Sequence, residues 1–348
     1  MASVIKFDTW QNTNGEVIAD TAGGARLPLS GNAIINGDFG VNQRGFSSTT
    51  SSGEYIFDRF RTNFSGGTST FSAQSFTPAD IEALGYGDAT SYLRIANSSY
   101  TGASAYCLLQ QYVEDVRTLS DQTVTVSFWA KSGSSSSITI ELEQYFGSGG
   151  STSVNNLGSV KIATTTSWAR YSATITLPSI SGKTVGANSS LRVTMWFEAG
   201  TDFNTRSNSL GIQNDTFDIW GVQLEAGPVA TPFRLAGGGS KAAELALCQR
   251  YYQTMSGNNQ AVGMGHATST ANIRFQMPSN QIMRSVPSVS GTDLVALGTN
   301  TVASYAISLV SPNDSNSFGI FGNATSSSLT SSAVYLLRFD TLNFDAEL

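Results

Sequence analysis

Thr123–Ser132, TVTVSFWAKS, is the stretch whose reading decides the fold. In an extended chain successive side chains point to opposite faces, so Val124, Val126, Phe128 and Ala130 fall on one side and Thr125, Ser127, Trp129 and Lys131 on the other. The first side reads as a core face. Two neighbouring stretches obey the same rule. In SITIELEQYF, Ile138, Ile140 and Leu142 oppose Thr139, Glu141, Glu143 and Tyr145; in LRVTMWFE, Leu191, Val193, Met195 and Phe197 oppose Arg192, Thr194, Trp196 and Glu198. The pattern continues through WARYSATITLP and stops at Pro178, which has no N–H to give a ladder.

Composition agrees with strands. The chain has 348 residues, 34 of them glycine, and only 13% Asp, Glu, Lys and Arg, against roughly 25% in ordinary domains. Many turn formers and few long charged side chains favour short strands over helices. The length suffices for two cores. A net charge of −6 without a basic stripe argues against a nucleic-acid partner, because a phosphate backbone needs counter-charge. No apolar run approaches the roughly 20 residues of a membrane-spanning helix, and the opening MASVIKFDTW lacks the plan of a secretory signal. Cys107 and Cys248, in otherwise apolar segments, read as buried free thiols.

Along the chain, residues 1–30 read as an extended arm: an alternating run from Val4 to Trp10, an Asn14-Gly15 turn signal and the small-residue stretch TAGGARLPLSG. Residues 31–236 form a series of strands separated by Gly/Ser/Asn clusters, the pattern of a sandwich or jelly roll. The run Gly237–Ser240 marks a boundary. It opens a segment, 237–253, with a short helix in KAAELALCQRYYQ, where Leu245, Cys248 and Tyr252 recur at helical spacing. Residues 254–348 alternate again, and Leu342, Phe344, Ala346 and Leu348 predict a packed final strand. The expected fold is therefore all-β: a β-sandwich, a smaller C-terminal β domain and an N-terminal arm.

Several segments taken in order carry a resemblance. NAIINGDFGVNQRG from Asn32, FDRF at Phe57–Phe60, QQYVEDVRTLSDQTVTVSFWAKSG, Trp168 and Tyr171 as W-x-x-Y, FDIWGVQLEAGPVATPF at Phe217–Phe233 and ELALCQRYYQ at Glu244–Gln253 resemble a domain of bacteriophage tail-fibre and tail-appendage proteins. The resemblance implies a jelly roll related to carbohydrate-binding modules, carried by a homotrimer on the virion, meeting host-surface glycan and joined to other tail or capsid proteins through the arm. The opening MASVIKFDTW is similar to the start of such appendage proteins. The alternatives are a purely architectural adaptor or decoration protein and a depolymerising tailspike.

Candidate residues follow from the outer faces. Trp129 and Trp196 sit on otherwise polar sides of their strands, where an indole can stack on the apolar face of a sugar ring. With Tyr145, Arg192, Glu141 and Glu143 they are expected to line one glycan groove; the competing reading packs them under a loop or at a subunit interface. Glu141 and Glu143, two residues apart on a strand, lie roughly 6.5–7 Å apart along one face, a spacing a glycosidase uses, yet catalysis also needs a pocket and a raised pKa. A solvated face is the plainer account, and no enzyme activity is expected. Asp38 and Asp218 lie near the first and last strands of the jelly roll, where the resemblance to carbohydrate-binding modules implies a structural calcium; the alternative is a pair of turn-forming or capping aspartates. His266 is the one histidine, which excludes a zinc site built from several His of one chain, and no nucleophile elbow accompanies it.

Overall fold

The computed structural model describes residues 31–270 continuously, and beyond these 9–11, 17–20, 24–25, 272–277, 281–292, 295–297, 302–309, 318–324 and 334–348. Side chains are described over 31–256, 265–270, 281–291, 335–336 and 341–348. The expected arm and the Asn14-Gly15 turn lie largely outside the described residues. What is described there is a small antiparallel sheet of β1 (Thr9–Gln11), β2 (Val17–Asp20) and β3 (Gly24–Ala25).

The central unit is a two-sheet β-sandwich. In chain order its strands are β4 (Ser48–Thr49), β5 (Arg61–Ser65), β6 (Thr68–Ser75), β7 (Ser91–Ser98), β8 (Tyr106–Glu114), β9 (Thr123–Ser132), β10 (Ser137–Tyr145), β11 (Val154–Ala163), β12 (Ala169–Thr176), β13 (Ser190–Ala199) and β14 (Thr216–Ala226). One sheet has the order β11-β10-β13-β8-β5 and the other β12-β9-β14-β7-β6-β4. Every pairing within them is antiparallel. Apart from the hairpins β6–β7 and β10–β11, successive strands alternate between the two sheets. That core is the set read from period two: Val124, Val126, Phe128, Ala130, Ile138, Ile140, Leu142, Leu191 and Phe197 are wholly buried, joined by Phe71, Leu93, Ile95, Phe217 and Leu224. β12 stops short of Pro178, at the sheet edge where a missing N–H does no harm.

Among the described residues three helical pieces join the strands: α1 (Pro78–Leu84), a 3₁₀ turn over Thr201–Phe203 running into α2 (Asn204–Ser207), and α3 (Lys241–Gln249). The sequence reading anticipated only α3. Within α3 the expected stripe is corrected, because Leu245 is exposed while Glu244 is buried with Cys248, and Tyr252 already belongs to the next strand. The burial of Glu244 has a local cause: its carboxylate accepts the backbone N–H of Gly237 at 2.7 Å and that of Asn36.

The C-terminal unit contains β15 (Tyr252–Ala267), β16 (Asn272–Met277), β17 (Ser288–Thr292), β18 (Val295–Leu297), β19 (Val302–Leu309), β20 (Phe318–Ala324) and β21 (Val334–Asp345). Its order is β15-β16-β20-β19-β18-β21-β17, and β15 also pairs with β21, which closes the sheet on itself. Closure leaves few strand edges open to another chain. Leu342, Phe344 and Ala346 are buried on the final strand and the residues just beyond it.

Four of the quoted segments, those at Asn32, Phe57, Phe217 and Glu244, are joined by hydrogen bonds and ring contacts. Asn32 donates to Val222 O and Arg234 O and accepts from Leu224 N. Asn36 bridges Val41 and Asp58 O. Arg59, 1% exposed, lies 3.4 Å above the Tyr251 ring and pairs with Glu347. These polar residues are held where a buried group must find a partner, so they tie the sandwich to α3 and to the end of β21.

Candidate surface on the five-stranded sheet

The sequence places Trp129 and Trp196 in one groove, and the structure corrects this. Trp129 is on β9 and Trp196 on β13, so the two indoles lie on opposite outer faces of the sandwich. Trp129 pairs across the ladder with Trp220 and meets Tyr86 edge-on at 6.4 Å. Trp196 is 1% exposed. Phe203 packs on its ring at 5.4 Å, and its indole N–H donates to Glu141 at 2.9 Å. A sugar cannot stack on a ring already covered, so the stacking role expected of Trp196 is withdrawn. The competing reading, a tryptophan under a loop, holds for it.

The other four residues do share a face. Cross-strand register puts Glu141 opposite Thr194 and Glu143 opposite Arg192 on β10 and β13, and Arg192 opposite Tyr112 on β8. The same row system brings in Gln110, opposite Thr194 on β8 and opposite Arg61 on β5. Arg192 is the centre of this surface. Its guanidinium carbon lies 3.7 Å from the Tyr145 ring centroid and 5.0 Å from that of Tyr112, and one N–H reaches Glu143 at 3.3 Å. Tyr112 donates its hydroxyl to Gln110 Oε1 at 3.2 Å and accepts from Arg61 at 3.2 Å. The result is a ladder of rings and guanidinium groups in which Gln110, Tyr112 and Glu143 are buried and Arg61, Tyr145 and Arg192 are half-buried.

Glu141 is wholly buried under α2. Arg206 grips its two oxygens at 2.7 and 3.0 Å, and Asn156 N–H adds a bond at 3.0 Å. Desolvation works against the Arg206 charge, but Glu141 and Glu143 more than offset it and hold the guanidinium pKa above its usual value. Glu141 is an acceptor in each of these contacts, and Glu143 is shared between Arg192 and Arg206.

The calcium expectation for Asp38 and Asp218 is also corrected. Asp218 commits both oxygens to Arg94, at 2.7 and 2.9 Å, with Lys131 at 3.7 Å. Asp38 instead opens on a cavity of about 340 Å³ lined by Asn42, Thr90, Leu235, Lys241 and Leu245 among others. Burial raises its pKa, opposed by the Gly40 N–H. Among the described residues no group of three or more His, Cys, Asp and Glu is placed to hold a metal ion. His266 is exposed on β15. Both cysteines are buried free thiols, and burial pushes Cys107 up to about 12.

Gln110 and Tyr112 escaped the sequence reading although their alternation with Cys107 and Leu109 in YCLLQQYVE marks them as outward-facing. Arg206 left no such signal. It reaches Glu141 from a turn more than sixty residues away, and only the fold makes them neighbours.

No protein-family model and no curated protein matches the chain. Among solved structures it is similar to the module TmCBM61 in complex with β-1,4-galactotriose, at 14% identity and a TM-score of 0.29, over 56% of this chain and 99% of that one. It is also similar to the enzymatically active domain of bacteriophage CBA120 tailspike protein 4, at 12% identity and a TM-score of 0.31, over 56% of this chain and 21% of that one. A Stig cyclase from Fischerella sp. TAU aligns at 12% identity with a TM-score of 0.37, over 58% and 99% respectively. A binding module, a tailspike and a cyclase at comparable overlap do not choose among functions, so the chain's own residues must.

Proposed function

We propose that this chain is a non-enzymatic glycan-binding protein, that the outer face of the five-stranded sheet is its binding surface, and that it serves as a subunit of a bacteriophage virion appendage. The observation that carries the binding reading is Arg192 held between the rings of Tyr112 and Tyr145. The half-buried Tyr145 ring, fixed by the stacked cation, loses little freedom when a sugar lies on its other face, and the Arg192 guanidinium and Tyr145 hydroxyl are groups that hydroxyl-rich ligands need. The appendage reading rests on the ordered segments from Asn32 to Gln253, and the homotrimer and host attachment belong to that reading. Threefold repetition would turn weak single-site contacts into firm attachment.

The test is binding of labelled protein to host cells and to isolated surface polysaccharide. Tyr145 is half-buried at the end of its strand, so Tyr145→Ala is expected to fold and to bind about tenfold more weakly, the loss of one stacking contact of ~1.4 kcal/mol. Unchanged adhesion by this variant and by Arg192→Ala would remove the surface from consideration. One observation favours the architectural alternative: Trp196 is sealed beneath the chain's own turn. That alternative predicts no adhesion at all, together with chemical cross-links between copies through this face.

A further inference from the structure

Resting on the glycan reading above, we propose that the ligand of this face is an acidic polysaccharide, one bearing carboxylate or sulfate groups along its length. The argument is one of charge placement. The chain as a whole carries −6, yet the strands and turn of this face present Arg61, Lys161, Arg192 and Arg206 against Glu141, Glu143 and the exposed Asp202. Glu114, at the end of the same face, is neutralised by Arg250, whose N–H groups reach its oxygens at 2.8 and 2.9 Å. A local cationic surface on an acidic protein is the arrangement that selects anions and leaves the remainder of the molecule repelling them.

The four cations are not equally committed. Arg206 is bound to Glu141 through two bonds, and Lys161 donates to the carbonyls of Ser209 and Leu210. Arg61 has no carboxylate within ion-pairing distance among the described residues; its partners are Gly53 O at 3.0 Å and the Tyr112 hydroxyl. Arg192 meets one carboxylate at a long 3.3 Å, and its Nε is buried without a hydrogen-bond partner. Arg61 and Arg192 lie on β5 and β13, with β8 between them, hence roughly 10 Å apart from strand spacing alone. Two planar cations at that interval, with the Tyr112 ring between them, fit a polymer in which an anionic group recurs every one or two sugar units. The guanidinium fork matches carboxylate and sulfate oxygens alike.

Affinity electrophoresis and calorimetry would compare a polyuronate, a sulfated polysaccharide and a neutral β-linked glycan such as galactan or xylan. Expected is binding to one or both acidic polymers at least about tenfold tighter than to the neutral one, weakening as salt is raised because the exposed charges are screened. Which acidic polymer binds separates carboxylate from sulfate recognition. Arg61→Gln should abolish the preference for acid with an unchanged melting temperature, and Arg61→Lys, which keeps charge but loses the fork, should restore part of it. Equal or tighter binding of the neutral glycan, unaffected by Arg61→Gln, would overturn the acidic ligand and leave the glycan surface standing. Binding to none of the polymers, with the intact chain folded, would overturn both.

Discussion

Glu141 has no access to water, and Arg206, Trp196 and the Asn156 N–H surround its carboxylate. Removing a partner from a buried ion is far more costly than the pair is worth, roughly 3–5 kcal/mol in a wholly buried pair. Arg206 keeps about a third of its side chain in solvent, so part of that cost is screened. Arg206→Met is therefore expected to destabilise the protein by about 2 kcal/mol, read from the urea midpoint, and Glu141→Gln in the same background should recover most of the loss. A null effect of the single substitution would mean that the carboxylate is hydrated and the surface less rigid than described. Alternation revealed that Glu141 and Glu143 point the same way. It could not reveal that the first is buried, because burial of an outward-facing residue depends on what the rest of the chain lays over it.

Among the elements, α1 shows local chemistry that was present in the sequence and went unread. Thr77 accepts the Asp80 N–H at 3.2 Å while the Asp80 carboxylate accepts the Thr77 N–H at 3.2 Å, Pro78 opens the helix, and Gly85 closes it at φ 73°. Threonine, proline and an acid at these spacings form a helix start. Asp80 does a second task, accepting the Trp168 indole N–H at 2.9 Å, which fastens the helix to the outer face of the six-stranded sheet. The Thr77 hydroxyl is the main cause of the lowered Asp80 pKa, ahead of the opposing burial. Thr77→Ala is expected to cost about 1 kcal/mol, and because α1 is peripheral the change should appear chiefly as faster hydrogen exchange at Ile81–Gly85. Loss of global folding instead would show that α1 is part of the sandwich core.

For the whole molecule, the decisive region is the junction between sandwich and C-terminal unit. Gln43 donates to Tyr252 O at 2.9 Å, Arg44 lies 3.7 Å from the Tyr252 ring centroid and pairs with Asp345 at 3.1 Å, and Arg284 donates to Asn188 Oδ1 at 2.8 Å. Asp58 is wholly buried within this junction. Burial, only partly countered by the Gln43 N–H and by Arg44, and reinforced by Glu347, raises its pKa from 3.8 to about 7. A folded-state pKa above the unfolded one means that the fold holds the extra proton between those values, so stability falls as pH rises through that window. Asp58→Asn mimics the protonated acid. The melting temperature of the parent should drop relative to this variant between pH 5 and pH 8, and a constant difference across that range would refute the assignment. Because the affected contacts join two units, the parent should also loosen first at the junction above pH 7.

Period two in TVTVSFWAKS, SITIELEQYF and LRVTMWFE was enough to determine an all-β molecule and its core, since alternation is a property of the extended backbone and needs no partner strand. The polar outer faces were legible as faces. Which strands share a sheet, and hence that Trp129 and Trp196 are a whole sandwich apart, is set by pairing between distant segments, and alternation is silent on it. The same holds for α2 over Glu141, for Arg94 on Asp218 and for the meeting of Arg59 with Glu347. Each is a contact between residues far apart in the chain, chosen by how two sheets close on one core, and only the tertiary structure decided it.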